Sequence, residues 1–364
     1  MLFPYKRIPH AMEKMHEFVE FIFLNVWCNA PNVDYDLDLF KGNASLYKMI
    51  DQLIREDAAG KLNPKGAGAF FLTTVNEIFS EFKSLTAVEI AQYRQQYEHN
   101  NKIENLCQNA PGSVPTHYDS LNPAKLTLNK KMQAFFQRLY TSGFFDLKFV
   151  RDEVGATIGS YYRDFVRRGN GNDHDVCPFC GLLPIDGEFD PTRDAFDHYL
   201  PKGTYPFNSV NLANLCPSCN KCNSGNKLEQ DPIHDAAGNR RKAFYPFGNV
   251  QPDVSITATV QVADWNKPSS NEIAITLTSQ NHSDETATWG EMYRIPLRYA
   301  ARCCSKAGGT SWRNKILDDC HNYGLNPDQM YKAEVKTAKS SPWHEANFLK
   351  IAFLEACDRT GMFS

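Results

Sequence analysis

Hydrophobic positions recur at helical spacing through most of the first 168 residues. Over 11–27, Met12, Met15, Val19, Ile22 and Val26 fall on one face in steps of three and four, which predicts an amphipathic helix. Similar stripes over 45–57, 69–82, 86–100, 126–140 and 157–169 predict five more, the last ending at Gly169. Stripes of this kind are core-packing faces, and they assign this region no chemistry. The cluster GNGNDHD at 169–175 is turn chemistry and marks a boundary. From 176 to about 250 the long periodicity disappears, and Cys, Pro, Gly and Asn take its place. Beyond it, 254–262 and 272–279 alternate apolar and polar residues around a turn-rich link, which predicts a β-hairpin. Helical patterns return over 285–304, 311–324 and 341–359. The whole reads as an α+β chain in three parts: a helical region over 1–168, a module over 169–250, and a hairpin followed by helices over 251–364.

Charge narrows the functions slightly. A net charge of -3 excludes a protein that coats polyanions with an all-basic surface, but leaves room for a local basic cleft. The early apolar run FVEFIFLNVW is broken by Glu20 and Asn25 and no longer run exists, so neither a secretory leader nor membrane insertion is expected. Eleven cysteines, an odd number in a long chain without a leader, point to a reducing cytoplasm, where clustered cysteines bind metal.

The cysteines themselves change the picture most. CPFC supplies Cys177 and Cys180, and NLANLCPSCNKCNSGNK (211–227) supplies Cys216, Cys219 and Cys222, which form two overlapping Cys-x-x-Cys pairs. Two such knuckles together complete a tetrahedral four-thiolate site, closed and therefore structural, of the kind that holds Zn²⁺. Metal binding then supplies the folding energy that a segment without its own core lacks. Cys28, Cys107, Cys303, Cys304, Cys320 and Cys357 lack knuckle spacing and are expected to be buried thiols. His174, His234 and His321 stand outside any motif and are expected on the surface or in packing.

Between the knuckles runs DAFDHYLPKGTYPFNSVNLANL. Taken with CPFC, NLCPSCNKCN and Lys227, this stretch of roughly 177–250 resembles the HNH nucleases of the His-Me finger (ββα-metal) superfamily. It looks most like those that read Asp-His-Tyr-Leu-Pro-Lys before a Cys-x-x-Cys-Asn, several of which serve bacterial defence against phage. The resemblance implies a zinc-stabilised ββα-metal module with Cys177, Cys180, Cys219 and Cys222 as ligands. Under it Asn214 and Asn223 are the functional asparagines; the rival register takes Cys216 and Cys219 with Asn211 and Asn220. It further implies that His198 is the general base, that Asp197 and Asn223 hold a catalytic Mg²⁺ (Mn²⁺ as a substitute), and that Asn214 orients the His198 ring. Neighbours in a strand face opposite ways, so Asp197 and His198 share a site only if the strand ends or bends there. A helix is expected to begin near Pro217. Lys202 and Lys227 are candidate phosphate contacts, with Lys221, Arg240, Arg241, Lys242, Arg163, Arg167 and Arg168 as further cations nearby. The implied function is a metal-dependent DNA endonuclease of low sequence specificity. Its expected partners are DNA and defence-system proteins acting as sensor or activator. The competing expectation is a zinc-stabilised nucleic-acid-binding or scaffold protein with an inactive nuclease centre.

Overall fold

A computed structural model of the chain describes residues 1–167, 169–171 and 174–364. Arg168, one of the expected basic residues, lies outside them, as do two residues of the expected boundary.

The first predicted helix is a composite. Helix α1 (Lys14–Phe21) runs into a wider π turn, Ile22–Val26, and then a 3₁₀ turn, Trp27–Asn32. The pairs Phe18–Val19, Ile22–Phe23 and Val26–Trp27 are all buried. They recur every four residues, more than the 3.6 of an α-helix, and loosening the coil keeps them on one side. Around this spine pack α2 (Ala44–Ala58), α3 (Ala67–Phe82), α4 (Ala87–Asn100), α5 (Ile103–Cys107), α6 (Leu126–Leu139), α7 (Lys148–Val154) and α8 (Ile158–Val166). Local signals set their starts. The Asn43 side chain accepts from Leu46 N at 3.0 Å and opens α2, which then buries Leu46, Met49, Ile50 and Leu53. A Thr86–Glu89 capping box opens α4.

The central segment contains β1 (Phe196–His198), antiparallel to β2 (Leu215–Pro217), and then the single turn α9 (Asn220–Cys222). Asp197 faces Cys216 across the ladder and His198 faces Leu215. The expected helix near Pro217 begins three residues later, because Pro217 still belongs to β2. Next, β3 (Ser255–Val260) pairs antiparallel with β4 (Ile273–Thr278). Five helices follow: α10 (Ser283–Met292), α11 (Ile295–Cys304), α12 (Gly309–Tyr323), α13 (Pro327–Ser340) and α14 (Asn347–Arg359). The stripe over 285–304 is thus two helices, broken where Arg294 turns left-handed (φ 50°) ahead of Pro296. The pattern gave no hint of α13, which buries only Tyr331, Val335 and Ala338.

One apolar core runs through all three parts of the chain. The first residues strap the central segment: Leu2 N donates to Pro178 O at 3.0 Å and Tyr5 Oη to Pro217 O at 2.8 Å. The C-terminal helices grip it from another side, with Trp289 Nε1 donating to Phe179 O and Tyr299 Oη to Cys180 O. The cysteine-rich segment is therefore held by its neighbours as well as by its own sulfurs. No described helix is long and apolar enough to cross a membrane.

Candidate functional site

Cys177, Cys180, Cys219 and Cys222 are buried, and their sulfurs lie within 4.8 Å of one another. The two knuckles fold alike. Cys177 O accepts from Cys180 N (3.2 Å) and Gly181 N (2.7 Å); Cys219 O accepts from Cys222 N (2.9 Å) and Asn223 N (3.0 Å). Each turn points both sulfurs the same way. Bonds near 2.3 Å in a tetrahedron place sulfurs about 3.8 Å apart, and Cys180 Sγ and Cys219 Sγ stand 3.9 Å apart. The donor set and spacing fit a four-sulfur metal centre. Arg298 Nη1 donates to Cys222 Sγ at 3.3 Å, a cation that offsets thiolate charge.

Cys216 is not in this group. It lies in β2 opposite Asp197, buried, with its thiol toward Asp197 O at 3.8 Å. Asn220 is exposed, and Asn211 caps the turn at 212–214 while bonding Asn101 at the end of α4. Of the six cysteines expected to be buried, Cys304 and Cys320 are partly exposed, and neither is among the buried residues of its helix.

His198 ends β1 and the chain turns away directly after it, while Asp197, one residue earlier, is still paired with Cys216 within the ladder. Asp197 is buried, and its Oδ1 accepts from Lys227 Nζ at 3.0 Å. Its Oδ2 is buried without a hydrogen-bond partner among the described residues. Burial pushes the Asp197 carboxyl up, and Lys227 pulls it back only in part. His198 is partly buried, with Nε2 2.9 Å from Ser209 O and its ring edge-on to Tyr140 at 4.8 Å. A carbonyl only accepts, so Nε2 carries the proton and Nδ1 keeps a lone pair. Desolvation pushes the imidazole down to about 3 against the favourable Ser209 bond, and Lys202 and Lys227 add to the fall. The ring is neutral near pH 7.

Two expected roles are corrected. Asn214 does not bond the His198 ring. Its fully buried amide accepts from Leu200 N at 2.7 Å and donates to Leu200 O at 2.9 Å. It acts as a surrogate strand that prolongs the ladder beyond His198 and fixes the turn; Ser209 orients the ring. Lys227 does not face solvent for a phosphate. It is 1% exposed, its ammonium bonded to Asp197 and to His198 O at 2.9 Å. The one-turn helix and the π turn after it (Asn223–Lys227) carry it inward.

Asn223 is partly buried on that same turn. Lys202 stands partly exposed with Nζ 5.6 Å from the Tyr140 ring centre. Arg240 is committed elsewhere, donating to Ile233 O and Leu106 O. Among the described residues, Asp197 joins no cluster of three or more His, Cys, Asp and Glu.

A second cluster does form, from His117, Asp231 and His234. His234, expected to be a surface or packing residue, belongs to it. Only the i, i+3 spacing of Asp231 and His234 is visible in the sequence; His117 lies more than a hundred residues earlier. No protein-family model, curated protein or solved structure matches this chain.

Proposed function

We propose that this chain is a metal-dependent nuclease of the HNH kind acting on DNA. The observation that carries the reading is the end of β1, where His198, an imidazole whose Nδ1 keeps its lone pair, follows Asp197, whose buried Oδ2 lacks a hydrogen-bond partner among the described residues. The four cysteines hold Zn²⁺ and fix the hairpin, as a closed thiolate site does. His198 Nδ1 takes a proton from the attacking water. An approaching phosphodiester brings negative charge beside the ring, which raises the basicity that burial suppresses. Asp197 Oδ2 and the Asn223 amide oxygen would hold Mg²⁺, a cation that takes oxygen ligands and keeps several waters. When bound, it relieves charge on the phosphoryl oxygens. Ser209 and Tyr140 hold the imidazole in place, Asn214 fixes the turn that follows it, and Lys202 offers a phosphate contact. Sensor or activator proteins of a defence system are the proposed partners.

The competing reading, a nucleic-acid-binding scaffold, draws on the Lys227 ammonium, which already neutralises Asp197. One assay separates them. Plasmid DNA is incubated with wild type and His198→Ala, each with Mg²⁺ or EDTA. The nuclease reading requires nicking by wild type that EDTA abolishes and the variant lacks. Gel-shift binding by both proteins with intact DNA throughout selects the scaffold.

A further inference from the structure

We propose that His117, Asp231 and His234 form a second metal site, separate from the cysteines, for a divalent first-row transition cation of the zinc class. The three donors come from distant parts of the chain and converge. His117 lies in the loop before α6, whose backbone is tied at the next residue by Tyr118 N donating to Thr204 O at 3.0 Å. Asp231 and His234 lie in the loop after α9. That loop is braced by Arg241 Nη2 on Asp231 O and by Arg240 Nη1 on Ile233 O. Ile233 N donates to Asp231 Oδ1 at 2.9 Å, which fixes the carboxylate and leaves Oδ2 turned toward the two rings.

The spacing is that of ligands about one cation. Metal–nitrogen and metal–oxygen bonds near 2.0–2.2 Å place adjacent donors about 2.9 Å apart at right angles and about 3.3 Å apart in a tetrahedron. His234 Nδ1 stands 2.9 Å and His117 Nε2 3.4 Å from Asp231 Oδ2. Hydrogen bonding alone satisfies this arrangement poorly. Tyr205 Oη at 2.5 Å and His234 Nδ1 at 2.9 Å already crowd the one oxygen and stand 3.1 Å from each other. His117 Nε2 meanwhile is buried and makes no properly aligned hydrogen bond. A cation between the two nitrogens and the oxygen satisfies all three. The Tyr205 hydroxyl then remains as a donor to the ligating carboxylate, the outer support such ligands usually have. His117 also lines a cleft of about 370 Å³ with Tyr118, Asp119, Gln133, Gly203 and Thr204. Of the three ligands only His117 lines that cleft; a set of three protein ligands leaves a fourth coordination position, as catalytic zinc sites do. Two imidazoles and one carboxylate suit zinc, cobalt, iron or nickel better than magnesium or calcium.

The test counts metal in the full chain. Wild type and His117→Ala are saturated with Zn²⁺, freed of excess, and analysed by mass spectrometry. Wild type is expected to hold one equivalent more than the variant, whatever the cysteines retain. Equal contents overturn the site. Should His117→Ala fail to fold, Co²⁺ titration of wild type decides. The cysteines give thiolate-to-cobalt charge transfer, and a further equivalent must then add visible ligand-field bands without charge transfer. A titration that ends with the thiolate bands overturns the site as well. Tyr205→Phe is expected to keep the extra equivalent but weaken it by about 10- to 100-fold; unchanged affinity removes Tyr205 from the site.

Discussion

Lys227→Met tests whether the ammonium at 227 is a structural counterion. The methionine keeps the stem's apolar volume and removes the charge, together with the bonds to Asp197 Oδ1 (3.0 Å) and His198 O (2.9 Å). Both partners of the ion pair are nearly inaccessible, 1% and 5% by side chain, so water cannot replace the lost cation. Removing one member of a buried pair costs about 3–5 kcal/mol, because the other charge stays buried and alone. Unfolding entropy of about 2.1 cal/mol/K per residue converts this, over 364 residues, to a melting temperature lower by roughly 4–7 °C. The loss has a sign in pH. Burial already holds the folded Asp197 pKa above its unfolded value, and without Lys227 it rises further. A raised carboxyl is stable while protonated and loses stability as pH climbs through the folded pKa. The deficit is therefore larger at pH 8 than at pH 5, and Asp197→Asn in the same chain should recover much of it. Calorimetric melts of the two single variants and the double variant at both pH values measure all of this. A Lys227→Met protein that melts with wild type at pH 8 refutes the structural role and returns Lys227 to the list of phosphate contacts.

Three further outcomes follow from the geometry. His198 is pushed from an ordinary 6.5 to about 3 in the folded chain; the unfolded chain takes up a proton across that window, so stability falls as pH drops from about 6.5 toward 3. The upper bound is on the order of 4–5 kcal/mol. His198→Gln should flatten that part of the stability–pH curve, and an unchanged curve assigns the acid sensitivity elsewhere. Cys222→Ser should lower zinc content and stability sharply while Cys216→Ser keeps its zinc; the reverse would place Cys216 in the site. Gly181 has φ +62°, and a Cβ there would stand 2.4 Å from Leu2 Cδ1 and 2.6 Å from Phe348 Cε1. Gly181→Ala should therefore destabilise by about 1–3 kcal/mol through strain and crowding, and a denaturation midpoint equal to wild type would contradict this.

Much of the helical architecture was written in local pattern. Residues 45–57 and 69–82 carry stripes whose period matches their helices, and caps such as Asn43 and Thr86 act over three residues. Short-range information failed where geometry departs from 3.6 residues per turn, as after Phe21, or where the stripe is sparse, as in α13. At the candidate site the residue types were legible and their partners were not. Asn214 stood out in the sequence, but a side-chain amide bonds whatever backbone lies nearest, and that is Leu200 and not the imidazole. Lys227 stood out as a cation; whether it faces water or a carboxylate depends on how one π turn seats against β1.

By itself, then, the sequence determined the α+β make-up, the two cysteine knuckles and the Asp-His pair, because periodicity and short spacing act within a few residues. The tertiary structure decided which of the two overlapping Cys-x-x-Cys pairs turns toward Cys177 and Cys180. It also placed the buried cation beside Asp197 and brought His117 to Asp231 and His234. Those outcomes depend on packing between segments 30 or more residues apart, and for His117 more than a hundred, for which no local pattern exists.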